Sequence, residues 1–346
     1  MRKAIVLCVM VLFLAVPVQA VDFTAPEAPE EAQRYMPSES SSFGEVLWYV
    51  IKEAAGDLQP SIVEAAGICL GIIAVVLLVS ILKNYSDTAK KVADLTGTLA
   101  VGLLLMQPVN ALIQLGAATV EQISEYGKLL LPVMTAAMAA QGATATSGAL
   151  YTATAFFDAL LSSAISQLLI PLLYVYLCVS IAYSTVGDGI LDSIRKLLKW
   201  LMTWGLKIIL YVFTGYISIT GVMGGATDAA LLKAAKITIS GAVPVVGGIL
   251  SDASEAILVS AGVVKKSAGI YGLLAIAAIA VGPFLQIGLQ YLMLKLTGGI
   301  CSSFQSGSIA EVIKDFTGAM GLVLAMTGTV CLLLLISLVC FMKGVG

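Results

Sequence analysis

Long apolar runs separated by short polar turns dominate the chain beyond residue 61, with centres near 62–82, 95–117, 159–183, 200–222, 237–264, 268–294 and 317–342. Each approaches or exceeds the ~20 residues that a helix needs to cross about 30 Å of hydrocarbon. The pattern predicts an all-α, polytopic helical membrane protein with about seven transmembrane helices and with re-entrant or broken Pro/Gly segments. One further stretch, LLLPVMTAAMAAQGATATS over 129–147, is polar in its second half, and Pro132 interrupts its start. It fits a re-entrant hairpin, an interfacial helix or a weak span, and the re-entrant reading is preferred.

The run 237–264 is long enough to cross but is broken in its middle. Pro244 removes a backbone donor and disfavours helix at Val243, while Gly247 and Gly248 add two flexible joints. Asp252 and Glu255 follow closely. Within hydrocarbon, such backbone persists only where surrounding protein or a wet cavity satisfies its freed polar groups. Pro132, Pro244, Gly247 and Gly248 are therefore the broken-helix functional candidates. Pro132 and Pro244 have the same spacing as Pro171 and Pro283, which raises an internal duplication of the kind that flanks transporter sites. Identities elsewhere at that offset are few.

Ahead of the spans, Arg2 and Lys3 precede an apolar stretch from Ala4 to Val16 and the small-residue end Pro17-Val-Gln-Ala20. This reads as a signal peptide over residues 1–20, with an uncleaved anchor as the alternative. Residues 21–60 form an extracytoplasmic acidic leader and a short amphipathic element with Val46, Leu47, Val50 and Ile51 on one side. The leader, 21–43, is expected to be flexible because it carries too little apolar surface to fold alone. Residues 61–346 make the polytopic membrane domain.

Composition narrows the function. Hydrophobic residues are 59% of the chain and charged residues 12%, with mean hydropathy +0.99; globular domains carry about 25% charged residues. A net charge of −2 offers no footprint for nucleic acid. The absence of histidine removes Ser-His-Asp and Cys-His catalysis and all histidine metal sites. Cys69, Cys178, Cys301, Cys331 and Cys340 form no C-x-x-C pair, and no Walker A motif occurs. No catalytic, cofactor-binding or metal site is expected, and ATP-driven work would come from another chain.

Charge placement suggests a topology. With 129–147 not crossing, Lys83, Lys90, Lys91, Arg195, Lys196, Lys199, Lys265, Lys266 and Lys343 fall on the cytoplasmic side. Lys52, Lys128, Lys233, Lys236, Lys295 and Lys314 then fall outside. Lys207, inside WLMTWGLKIILYVF, is the buried-charge candidate, with snorkelling to the interface as the alternative. Gly187-Asp188-Gly189 approaches an intramembrane aspartyl protease motif, but Thr185 replaces its first glycine, so a loop and cap is the better reading. Asp192, Arg195, Lys196 and Lys199 then decorate an amphipathic turn on the membrane surface. Gly67 with Gly71, and Gly221 with Gly225, have the G-x-x-x-G spacing suited to close helix contact.

The stretch TGYISITGVMGGATDAALLKAAKITISGAVPVVGGILSDASEAILVSAGVVKKSAG (214–269) closely resembles the stage III sporulation protein AE family of endospore-forming bacteria. The 129–142 stretch LLLPVMTAAMAAQG and the signal peptide with its acidic leader fit as well. The resemblance implies a multi-pass protein of the mother-cell membrane around the forespore, within the channel or feeding-tube complex that joins the two cells. Implied partners are other membrane and extracytoplasmic subunits, including a separate cytoplasmic ATPase and ring-forming proteins. The family supplies no catalytic residues. On physical grounds two readings stand: a core membrane subunit of such a complex, or a secondary transporter with a midplane site at the broken helices.

Overall fold

A computed structural model of the chain describes residues 25–36, 43–83, 87–242, 247–304 and 307–343, with 218–265 entering by backbone only. Residues 1–20, expected to be a signal peptide, and Pro244 lie outside the described residues. All described secondary structure is helical: α1 Glu30–Gln33, α2 Phe43–Gly56, α3 Gln59–Leu82, α4 Asp87–Ala140, α5 Thr144–Ala164, a π turn Ile165–Leu169, α6 Ile170–Val186, α7 Gly189–Ala242, α8 Gly247–Phe304 and α9 Ser308–Lys343. Among the described residues, 6 helical stretches are long and apolar enough to cross a membrane. The expected span 237–264 is divided between the end of α7 at Ala242 and the start of α8 at Gly247.

The helices run well beyond their apolar centres. The 54 residues of α4 extend about 80 Å at 1.5 Å per residue, against about 30 Å of hydrocarbon. Pro132 does not break this helix, and 129–147 is not a re-entrant element. Both Pro108 and Pro132 lie inside α4, which continues to Ala140. The chain then turns at Gly142, whose φ of 93° suits a residue without Cβ, and enters α5 at Thr144. The stretch is the tip of a helical hairpin. Its arms are tied by Tyr174 Oη donating to Asn110 Oδ1 (2.6 Å) and Ser124 Oγ donating to Asp158 Oδ2 (2.6 Å).

Within the second arm, the π turn immediately precedes Pro171. A proline ring clashes with the carbonyl four residues earlier, here that of Gln167, and its missing N–H leaves that carbonyl without a partner. Widening the turn over Ile165–Leu169 relieves both effects while the helix axis carries on.

Close glycine contacts fix the register of the other helices. Gly116 of α4 lies against Val323, and Gly127 against Leu334, so α4 and α9 run parallel. Gly269 of α8 faces Met342 while Gly298 faces Ile313, so α8 and α9 run antiparallel. This places Lys295 and Lys314 at the same end as Arg195, and Lys266 at the opposite end. The sidedness expected for these lysines is thereby reversed. Among the described residues, the end carrying Lys83, Lys90, Lys91, Arg195, Lys196, Lys199, Lys295 and Lys314 holds the larger share of cations, as the positive-inside rule expects of a cytoplasmic end.

Two other expectations change. The described part of the leader, 25–36, is docked on the bundle rather than free. Ala28 and Ala32 are buried, the Ala28 N–H donates to Tyr271 Oη (3.3 Å), and Tyr126 Oη donates to the Pro26 carbonyl (3.3 Å). Tyr35 donates to Asp57 (3.0 Å); burial first, and then this carboxylate, push its phenol above the ordinary range. In α2, Val46, Val50 and Ala54 form the buried face, while Ile51 is exposed. A Cβ at Gly67 or Gly71 would meet nothing within 4 Å, so this G-x-x-x-G pair is not a packing notch within the chain. Gly221 and Gly225 lie where only backbone is described.

The register predicts the outcome of thiol labelling. In intact cells, on a background without native cysteines, Lys91→Cys and Ser302→Cys should resist an impermeant maleimide, while Gln141→Cys and Lys266→Cys should react. External labelling of Ser302→Cys as fast as Lys266→Cys would contradict the common placement of Lys295 and Arg195. The glycine contacts predict a change of sign. Gly272→Ala should lower the melting temperature of the purified protein, because the new Cβ would lie 2.5 Å from a Leu130 methyl and 2.9 Å from a Leu338 methyl. Gly205→Ala, in open space, should instead stabilise by up to about 1 kcal/mol through helix propensity.

Candidate functional site

The best-built polar site begins where α6 turns into α7. Gly187 closes α6 in the left-handed region (φ 78°), and its N–H donates to the Tyr183 carbonyl (2.7 Å). Asp188 Oδ1 accepts the Ile190 N–H (3.1 Å), starting α7. The Gly-Asp-Gly sequence is thus a loop and cap, as its residues suggest. The first turns of α7 then present Asp192, Arg195 and Lys196 at spacings of three and four residues, close enough to pair.

Arg195 turns inward instead of decorating the membrane surface. Its Nη1 donates to Asp315 Oδ2 on α9 (2.6 Å) and its Nη2 to Asp192 Oδ1 (2.6 Å), with Glu311 at 3.9 Å. Its guanidinium lies over the Tyr183 ring at 4.2 Å. Tyr176 Oη, fully buried on α6, donates to the other Asp315 oxygen (3.0 Å). The Arg195 and Asp315 side chains are only 11% and 8% exposed. A buried pair of this kind survives because both terminal guanidinium nitrogens and both Asp315 oxygens have hydrogen-bond partners. It joins α6, α7 and α9 at one level.

Beside this cluster lies a cleft of about 500 Å³ between the end of α8 and the start of α9. Lys295, Gly298 and Ser302 line one wall, and Glu311, Lys314 and Gly318 the other. A Cβ on Gly318 would sit 3.0 Å from Lys199 Nζ and 3.5 Å from Tyr176 Oη. Gly318 therefore belongs to both the cleft and the ion cluster. Glu311 links them as well, through its approach to Arg195.

A polar interior also exists, but it is built by residues other than those expected. Pro108 of α4 and Gln286 and Gln290 of α8 line a cavity of about 260 Å³ with Ser61 and Glu64 of α3. A neighbouring cavity of about 290 Å³ shares Leu115 and Gln286, and reaches Pro283, Gln122 and the docked leader. The Gln290 amide nitrogen is buried without a partner among the described residues. Asp158 is likewise buried: one carboxylate oxygen accepts from Ser124, and the other has no partner.

The expected site residues do not assemble here. Pro132 is exposed within α4. Lys207 is exposed on the outer face of α7, within an apolar stretch long enough to span, and the cation enclosed by the protein itself is Arg195. Gly247 and Gly248 open α8, and Pro244 lies outside the described residues. Arg195 had a signal in the sequence: every other cation after Arg34 is lysine. An arginine fork suits a buried, multiply bonded carboxylate better than an ammonium does. Its partner Asp315, 120 positions away, had none.

Long apolar helices around an internal ion cluster define a polytopic helical membrane protein. The chain matches the stage III sporulation protein AE family over residues 41–344 and belongs to it. It is 22% identical over 264 residues to the stage III sporulation protein AE of Bacillus subtilis (strain 168). That match covers 76% of this chain and 66% of the relative, slightly under two thirds of the relative's length. No solved structure matches the chain.

The cluster predicts a non-additive mutant cycle. Arg195→Met strands the Asp315 carboxylate and should destabilise the protein by roughly 3 kcal/mol or more. Asp315→Leu should cost a similar amount, and the double variant should recover most of the loss. Thermal unfolding of the four proteins in one detergent checks this, and strictly additive losses would refute the coupling.

Proposed function

We propose that this protein is a non-enzymatic, integral membrane subunit of the channel, or feeding-tube, complex between mother cell and forespore, in the mother-cell membrane. The observation that carries the reading is the family match, which runs through nearly the whole helical bundle. The physical features agree with a subunit that works with others. No Walker A motif is present, so energy comes from a separate ATPase. The cation-rich end offers that partner a cytoplasmic face, and ring-forming extracytoplasmic subunits meet the opposite end. The Pro244, Gly247 and Gly248 break serves as a hinge or docking surface in the assembly.

Two experiments test this. Tagged full-length protein isolated from sporulating cells should bring down an ATPase and extracytoplasmic subunits in fixed ratio; recovery of the chain alone, with normal spore yield after its deletion, would remove the channel role. Replacing Pro244, Gly247 and Gly248 together by alanine strengthens the helix by about 3 kcal/mol for the proline and about 1 for each glycine. That variant should accumulate normally yet fail to support late forespore gene expression. Normal sporulation by it would show that the break has no functional part.

A further inference from the structure

We infer that the cleft between α8 and α9 binds the phosphate of an anionic lipid headgroup at the cytoplasmic face. The inference stands on the membrane-spanning fold and does not depend on the channel role.

The charge of the cleft is unbalanced. Lys295 and Lys314 line it from opposite helices, and among the described residues neither has a carboxylate within ion-pair distance. Lys295 Nζ instead lies over the Tyr291 ring, 5.6 Å from its centre. The acid that lines the cleft, Glu311, approaches Arg195 at 3.9 Å. Lys199 adds a third ammonium at the Gly318 edge. Gly307 and Ala310, at the start of the 36-residue α9, bring the positive end of a helix dipole to the same space.

The surroundings select a lipid over a free anion. Gly298, Gly299 and Gly318 keep the walls low, so a bulky headgroup can enter a space of about 500 Å³. Next to Lys295 on α8, Leu292, Leu296 and Ile300 form an exposed apolar stripe at four-residue spacing. Acyl chains attached to a phosphate held by Lys295 and Lys314 would lie along it. Basic pockets between spanning helices at the cytoplasmic face are suited to anionic headgroups, with about 1 kcal/mol of attraction per cation.

The test uses the purified full-length protein, delipidated in mild detergent. Native mass spectrometry should show one phosphatidylglycerol retained in preference to phosphatidylcholine of the same chains, with a matching rise in melting temperature. Lys295→Gln/Lys314→Gln should weaken retention about thirty-fold, from the loss of two such attractions. Lys295→Arg/Lys314→Arg should retain the lipid, and Lys266→Gln at the opposite end should behave as wild type. Equal retention of phosphatidylcholine, or undiminished phosphatidylglycerol binding by a folded glutamine variant, would overturn the site. Displacement of the lipid by millimolar inorganic phosphate, with the same thermal protection, would overturn the assignment to a lipid.

Discussion

Helix α9 is gripped by α4 on one side and α8 on another at separations that only glycine allows, and the remaining helices close around that contact. In lipid, apolar surface gains little by leaving its surroundings, so helices associate through close packing and the few polar bonds between them. Gly116 and Gly127 let α4 approach Val323 and Leu334, while Gly272 lets α8 approach Leu338. One flanking helix is parallel to α9 and the other antiparallel. Of the six spanning stretches, α9 is the most enclosed. Its rotation is set at one end by Asp315, which must meet Arg195 and Tyr176, and further along by Ser337, which accepts a hydrogen bond from Thr154 of α5 (3.0 Å).

Proline has different consequences in different helices, and the differences are local. Pro108 and Pro283 lie inside helices and line polar cavities, where other groups can answer the carbonyls they leave unbonded. Pro171 is preceded by a π turn that moves the offending carbonyl aside. Pro132 sits exposed, rather more than two turns before the hairpin tip, where solvent or lipid headgroups can serve the same purpose. Proline in an apolar run therefore marks a demand for extra hydrogen-bonding capacity nearby, and a break is only one way of meeting it.

This explains which parts of the fold were legible in the sequence. Apolar centres such as 62–82 and 317–342 fall within α3 and α9 because twenty apolar residues have few alternatives to a spanning helix. The polar continuation of α4 through Glu121, Gln122 and Glu125 was invisible to hydropathy, since helix continuity needs only backbone bonds and an outward face for the charges. Counting 237–264 as a separate crossing gave the wrong sidedness for Lys266, Lys295 and Lys314, because sidedness downstream depends on every preceding crossing. The docking of the leader rests on Ala28 and Ala32, which are too small to mark a core in sequence. The Arg195–Asp315 pair joins two helices across 120 positions of sequence, a separation across which one sequence carries no pairing information.

The ion cluster and the cleft are best understood as one electrostatic unit. Burying Arg195 and Asp315 costs desolvation on both sides, and well-packed apolar residues would serve stability as well or better. What the pair supplies is direction: it holds α6, α7 and α9 in one rotational setting and draws Glu311 toward Arg195. Because that acid is turned toward the guanidinium, Lys295 and Lys314 have no carboxylate partner among the described residues at the mouth of the cleft. The same arrangement that satisfies the buried charges thus leaves a positive surface beside them. An anion entering the cleft would complete a balance that the described side chains leave open, at the end of the bundle where the described cations gather.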